Sequence, residues 1–454
     1  MQRKLTIRIG TLATFLTACC SFAAGEPCEP EWNTTVGNPG VSVEDGYIGA
    51  LRAFDDGTGE MLYAGGSFSS VAGQPGTSLI ARWDPVSQLW SSVGGGLNDG
   101  FVTSIVPFDA GGGPELVGGG SFVGAFGIPD TGNIAKWNGS AWSSLGVVDG
   151  AVWAMTTWDG AGGDRLYIGG SFPTAGGVTA NGIAAWDGVQ WYSMGAGITG
   201  WNEYVGAMMV WDDGSGEKLY VGGRFDTMDG LSTPLIARWD GTIWEQVGSG
   251  LINDNALFGI ESMAVYDDGN GPALYVGGRW FHAPGQPVGN VSKWDGQQWT
   301  TVGAQYSGRV TTLCTFDDGN GPGLYLGGNA MYDLLYFARL VDGQWETVGG
   351  GVWNDPAPPW PSTYALYAWD DALYVGGSYN LAGGEFPCGC IAAWGCPACP
   401  GDIDGDGDTD HSDLGILLAD WGCSGGECAG DLDGDGDTDH SDLGILLADW
   451  GCGT

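Results

Sequence analysis

Basic side chains are the scarcest chemistry in this chain. Against 54 Asp and Glu stand 14 Lys and Arg, for a formal net charge of -40. Phosphate backbones are bound by the opposite balance, so nucleic acid is excluded as a partner, and an anionic membrane surface would repel the chain. The same charge favours cation binding and solubility. Histidine is nearly missing: there are three, and His282 is the one outside the C-terminal segment. No Ser-His-Asp arrangement can be assembled around it. Charged residues make up 15%, too few for a disordered acidic chain. After the N-terminus, no run is long and apolar enough to span a membrane. Nor does any Gly-rich loop follow a strand and open a helix, so the 87 glycines do not mark a nucleotide site.

What is present begins with an export signal, Met1 to Ala23. Arg3 and Lys4 supply the positive start, Ile9 to Ala18 the apolar core, and Ser21-Phe22-Ala23 a cleavage site. Leu16-Thr17-Ala18-Cys19 also resembles a lipobox, which would place a lipid on Cys19 and hold the chain at a cell surface instead of releasing it. Cleavage after Ala23 leaves nine of the 11 cysteines in a compartment that permits disulfides.

The glycines are periodic. Leu-Tyr-x-Gly-Gly starts at Leu62, Leu166, Leu219, Leu274, Leu324 and Leu373, with a degenerate copy at Leu116. A period of this size, about 50 residues, denotes one supersecondary unit repeated and stacked. Each of the seven copies reads as four short strands. The first ends on Phe54, Phe108, Trp158, Trp211, Tyr266, Phe316 or Trp369, and an Asp-Asp-Gly turn follows in four of them. The second strand is the Leu-Tyr-x-Gly-Gly segment. Ile-Ala-x-Trp forms the third, and after an Asp-Gly turn comes a fourth beginning with Trp. The predicted fold over residues 28–396 is therefore an all-β, seven-bladed β-propeller. These residues resemble kelch-like propellers and the VGG-x-F, IA-x-WDG repeats of bacterial secreted surface proteins. That resemblance implies the fold and leaves the ligand open.

The seventh copy reaches Trp394 with no fourth strand, and Trp32-Asn33-Thr34-Thr35-Val36-Gly37 has the missing pattern. The N-terminal strand is thus expected to close the ring, with a Cys28–Cys396 disulfide replacing the absent turn. One face would carry acidic turns, including Asp55, Asp56, Asp212, Asp213, Asp267, Asp268, Asp317 and Asp318. Such residues favour hairpin turns for conformational reasons. The opposite face would carry irregular loops with Trp201, Tyr204, Trp280, Phe281, His282, Trp353 and Trp360, aromatics able to stack on a sugar or peptide. Glu203 and Glu261 are the acids outside the repeat pattern that could form a glycosidase pair. Cys314 is expected to be the unpaired thiol. Cys388 and Cys390 have no assigned partner.

The chemistry with the sharpest spacing is C-terminal. Residues 402–423 and 431–452 are near-identical, each opening D-x-D-G-D-G-D-T-D-H-S-D-L. Carboxylates at loop positions 1, 3, 5, 9 and 12 with Gly at 6 form a calcium loop of EF-hand type. One Ca²⁺ is assigned to Asp402, Asp404, Asp406, Asp410 and Asp413 with the Asp408 carbonyl. A second is assigned to Asp431, Asp433, Asp435, Asp439 and Asp442 with the Asp437 carbonyl. Helices are expected at Leu414 to Trp421 and Leu443 to Trp450.

A calcium loop followed by one helix, twice over, resembles type I dockerin, a match covering residues 399–454 as a small α-helical calcium-binding domain. The resemblance implies attachment to a cohesin-like module, with His411, Ser412, His440 and Ser441 at the recognition positions. The chain departs from the pattern in having Thr409 and Thr438 at position 8, a short linker between the loops, and flanking cysteines read as Cys399–Cys423 and Cys428–Cys452 pairs. Together these features predict a secreted, non-catalytic propeller that binds a polysaccharide or protein ligand and is tethered by its tail. The alternative is a dockerin-bearing hydrolase of O-glycosyl bonds in polysaccharide catabolism.

Overall fold

A computed structural model describes residues 30–41, 46–160, 163–200, 202–253, 258–303, 308–329, 331–355, 360–396, 401–404, 409–424, 428–432, 436–448 and 450. The chain divides into two compact units, Glu29–Ala398 and a C-terminal one from Cys399.

The larger unit is an all-β, propeller-like repeat fold. Its pattern is clearest in the fourth repeat, where Tyr204–Asp212, Glu217–Arg224, Ile236–Trp239 and Trp244–Gln246 form one antiparallel sheet in chain order. The first strands of the other repeats are Tyr47–Asp55, Leu97–Asp109, Ala151–Gly160, Ile260–Asp267, Arg309–Asp317 and Ser362–Trp369. Each opens a sheet of the same order, the last two sheets being joined by a single pairing of Asn329 with Ser362. First strands of successive repeats are neighbours, and the last neighbours the first. Glycine on the second strand permits this approach: a Cβ at Gly222 would lie 2.4 Å from Met263 of the next repeat.

The N-terminal strand, Glu31–Asn33, pairs antiparallel with Ile391–Gly395 of the seventh repeat, Trp32 opposite Trp394. A shared tryptophan contact extends the arrangement. Trp142, Trp191, Trp244 and Trp299 on fourth strands each donate an indole N–H to a carbonyl of the preceding repeat: Val93, Leu145, Met194 and Val247. Trp32 does the same to Gly349 at 2.7 Å, and Trp90 of the first repeat donates to Val36, just past the N-terminal strand. Among the described residues, Trp345 breaks the series.

The acidic turns hold the sheets together. Asp212 Oδ1 accepts from the backbone N–H groups of Gly214 and Gly216, closing its own turn, and Asp55 and Asp267 do likewise. The second Asp points inward: Asp213 accepts from Tyr220 Oη, Arg238 and, in the next repeat, Trp294. Asp56 repeats the set with Tyr63, Arg82 and Trp137. Asp268 pairs with Lys293 and Asp318 with Arg339. The acidic turns therefore go beyond the turn chemistry expected of them, and four of the scarce cations are spent on them.

Several expectations are corrected. The second strand of the fifth repeat runs to His282, so Trp280, Phe281 and His282 lie in a strand, and Phe281 is fully buried. The loops opposite the acidic turns are partly regular, for example Ile198–Thr199 with Thr227–Met228 and Leu231–Ser232. Cys423 is bonded to Cys428, which overturns the pairings Cys399–Cys423 and Cys428–Cys452. With four residues between them in sequence, these two close a short local loop in the linker between the two acidic repeats. Cys396 is disulfide-bonded; Cys28, Cys399 and Cys452 lie outside the described residues. Cys314 carries a free thiol, which burial pushes up to about 11.

In the smaller unit, α1 spans His411–Ala419 and α2 His440–Ala448, each starting three residues earlier than expected. Asp410 caps α1 through Ser412 N and forms a capping box with Asp413. Leu417 and Leu446 form the apolar centre, and Thr409 and Thr438 are fully buried. His411 packs edge-on against Trp450, and His440 against Trp421, a reciprocal pair at 4.9 and 5.0 Å.

Candidate functional site

Every first strand carries one register shift at the same place, for example between Val205 and Ala207. A bulge of this kind adds a residue to one strand and re-aims its side chain. The extra residues are Gly49, Thr103, Trp153, Gly206, Glu261, Thr311 and Tyr364. All of them line one cavity of about 530 Å³. Each repeat thus contributes one variable residue to a common space. Residues two positions earlier add Tyr47, Tyr204 and Arg309, the end of a second strand adds Arg224, and neighbouring loops add Glu203 and Phe258.

Contacts inside the cavity run from repeat to repeat. Tyr47 meets Tyr364 at 5.0 Å, and Phe101 stacks on Trp153 at 5.5 Å and 23°. Thr103 and Thr311 donate to the Val152 and Thr363 carbonyls of the following repeats. Tyr204 Oη lies 3.5 Å from Glu261 Oε1, and the Arg224 guanidinium lies over the Tyr204 ring. Glu261 accepts from Arg309 Nε on both carboxylate oxygens at 2.5 Å. Its side chain is 9% exposed and that of Arg309 36%. Burial pushes the Glu261 carboxyl up, with Arg309 opposing it. Burial, and secondly the charge of Glu261, raises the Tyr204 phenol, while burial and Tyr364 push Tyr47 up to about 12. At neutral pH the wall therefore consists of neutral phenols, aromatic faces, two arginines and the carboxyl groups of Glu203 and Glu261.

The aromatics singled out by sequence divide. Tyr204 lines the cavity. Trp353, 39% exposed, lines a separate shallow cleft with Asp355 and Glu385, and Trp360 is 63% exposed. Neither reaches the cavity lining. Trp201 lies outside the described residues, and nothing is stated of the Trp280 side chain. His282 turns Nδ1 to the Ala283 carbonyl. Sequence reasoning missed Tyr47, Trp153, Arg224, Phe258, Arg309 and Tyr364. The signal available in sequence was the alignment of the repeats, in which the seven bulge positions hold Gly, Thr, Trp, Gly, Glu, Thr and Tyr instead of one restated residue.

In the C-terminal unit, carboxylate oxygens of Asp402, Asp404 and Asp413 lie within 4.8 Å of one another. Asp413 is fully buried and accepts from the backbone N–H groups of Ile403, Asp404 and Asp410. Asp442, 1% exposed, accepts from Leu432 and Asp439. A buried carboxylate gathered with two others is a donor set for a hard cation held by oxygen. Asp406, Asp408, Asp433 and Asp435 lie outside the described residues. The expected recognition residues His411, Ser412, His440 and Ser441 are exposed at the starts of the two helices.

No model of a known protein family matches the chain, and no curated protein matches it in sequence. Solved structures similar to it include Raptor of Chaetomium thermophilum, at 14% identity and a TM-score of 0.45, covering 81% of this chain and 29% of that one. A chain of the Mitotic Checkpoint Complex aligns at 11% identity and a TM-score of 0.40, over 87% and 99%. The extracellular domain of the putative hybrid two component system BT4673 from B. thetaiotaomicron aligns at 10% and 0.32, over 77% and 51%. The chain thus spans less than a third of Raptor's length. These likenesses are of fold alone, and the argument for the fold rests on the strand pairing above.

Proposed function

We propose that the four-stranded groups are the blades of a seven-bladed, kelch-like ring whose axial cavity binds a ligand without transforming it. The C-terminal unit tethers the chain to a cohesin-like module or a surface through a calcium-dependent, dockerin-like contact. The cyclic neighbour order of the first strands and the closing Trp32 and Trp90 bonds support the ring.

The observation that carries the binding reading is the Glu261–Arg309 pair. Glycoside hydrolysis uses two carboxyl groups flanking the scissile bond. Glu203 and Glu261 both line the cavity, but both oxygens of Glu261 are engaged by Arg309. A carboxylate held in that way is a poor nucleophile and a poor acid. This favours a polysaccharide or protein binder over a hydrolase of O-glycosyl bonds.

In the tail, Asp402, Asp404 and Asp413, with Asp406, Asp410 and the Asp408 carbonyl, would hold one calcium ion. The equivalent set from Asp431 to Asp442 would hold a second. The convergence of three carboxylates in the first loop fits that role. Bound calcium would offset the acidic charge that otherwise drives the loops apart. The export signal through Ala23 makes the protein secreted or cell-surface bound, the latter if Cys19 is lipidated.

The test is a glycan array and a cohesin pull-down on the full-length protein, each with and without EDTA. Ligand capture by the cavity is expected in both conditions, and cohesin capture only with calcium. Circular dichroism should register loss of the helices in EDTA. Release of reducing ends from a bound glycan would overturn the non-catalytic reading. A tail indifferent to EDTA would overturn the metal reading.

A further inference from the structure

Arg309 is a cavity group whose capacity its protein contacts do not use up. Arg309 meets Glu261 through Nε alone, and among the described residues no protein partner engages its two Nη atoms. The side chain is 36% exposed, whereas that of Glu261 is 9% exposed. Glu261 therefore holds the inner edge of the guanidinium and fixes its plane. The outer edge, with four N–H donors, is left to the cavity. A planar fork held in this way matches a carboxylate with two parallel hydrogen bonds. The next repeats along the wall supply Tyr364 and Tyr47, whose rings are in contact at 5.0 Å, and beyond them Trp153. Those ring faces suit the apolar side of a pyranose, and the Thr311 and Glu203 oxygens suit its hydroxyls.

We infer that the cavity takes an acidic saccharide, the uronate carboxylate on the Nη edge of Arg309 and the sugar ring against Tyr364 and Tyr47. This rests on the binding reading above and names the ligand class for that site. Arg309 is the specificity-determining residue. The chain's charge of -40 opposes the approach of an anion, so recognition is short-ranged. Affinity is weakest at low salt and rises as that repulsion is screened.

The experiment measures binding of the full-length protein, by calorimetry in EDTA, to oligogalacturonate, its methyl ester, a neutral galactan and poly-glutamate. EDTA removes calcium bridging between two polyanions. Oligogalacturonate is expected to bind and its ester to bind at least about tenfold more weakly, the loss of one charge-assisted fork. Arg309→Gln and Arg309→Lys should each show the same loss for the free acid and little change for the ester. Because Arg309→Gln leaves Glu261 buried without its partner, the double variant Glu261→Gln/Arg309→Gln serves as the folded control, its thermal midpoint checked first. Tyr364→Ala should weaken all saccharides. Equal binding of acid and ester, or an unaffected Arg309→Gln, overturns the carboxylate assignment. Binding of galactan alone overturns it while sustaining the binding reading. Capture of poly-glutamate without oligogalacturonate overturns the saccharide in favour of an acidic peptide. Failure of every probe, with the fold intact, overturns this ligand class and leaves the array above to judge the binding reading.

Discussion

Asp213 shows how much one side chain can hold. It accepts from Tyr220, Arg238 and Trp294, so it links two strands of its own sheet to the next repeat. Its side chain is 3% exposed. Asp213→Ala would leave Arg238 without that partner in a partly buried place, at a cost of about 3 kcal/mol, read as a lowered denaturation midpoint. The pH dependence has a definite sign. These bonds hold the carboxyls of Asp213 and Asp268 down at about 2 against the cost of burial, which is the largest single influence and works the other way. A depressed value means that the stabilisation is complete above the unfolded carboxylate range, near about 3.9. It is lost as pH falls through about 2. Thermal midpoints should therefore drop between about pH 4 and pH 2, and Asp213→Asn should flatten part of that drop. The second Asp of the turn was legible as a turn former only. Its partners lie up to 81 residues away in sequence, and spacing within one repeat cannot reveal a bond to the next.

At the scale of elements, the first strand has two jobs. Its regular residues pack the sheets, and its bulge delivers one free choice per repeat to the cavity. The repeat length, the four-strand pattern and the N-terminal strand were readable because each copy restates the same apolar code. The cavity was not, because Gly49, Thr103, Trp153, Gly206, Glu261, Thr311 and Tyr364 have no residue type common to all seven and mean nothing singly. The exposed aromatics that drew attention instead, Trp353 and Trp360, sit elsewhere. In the tail, the two helices were legible to within three residues, but the cysteine pairing was not. The segment before the Cys423–Cys428 bond is held against Thr438, whose carbonyl accepts from Gly422 N and whose N–H donates to the Cys423 carbonyl. The bulge has a testable signature. Gly49→Trp adds a large side chain to the cavity wall and should reduce ligand capture at least about tenfold while moving the thermal midpoint by little, since a Cβ there meets nothing closer than the edge of the Tyr47 ring at 3.1 Å.

For the molecule as a whole, the N-terminal strand is the piece that completes the sheet of the seventh repeat. Removing residues through Val41 strips Trp32 from Trp394 and Phe337 and leaves Ile391–Gly395 as an unpaired edge. An exposed edge is a template for self-association. The truncated chain should sediment as oligomers, and the remaining monomer should unfold several degrees lower. Loss of a buried Trp of this kind costs about 3–5 kcal/mol.

The same seam sets an order of events during biosynthesis. Trp32 leaves the ribosome 317 residues before Gly349, the carbonyl it must meet. At about 5–20 residues per second, the N-terminal strand waits roughly 15–60 seconds for its partner. Until then no nascent chain can make the contacts with Gly349 and Trp394 through which the N-terminal strand joins the two ends of the larger unit.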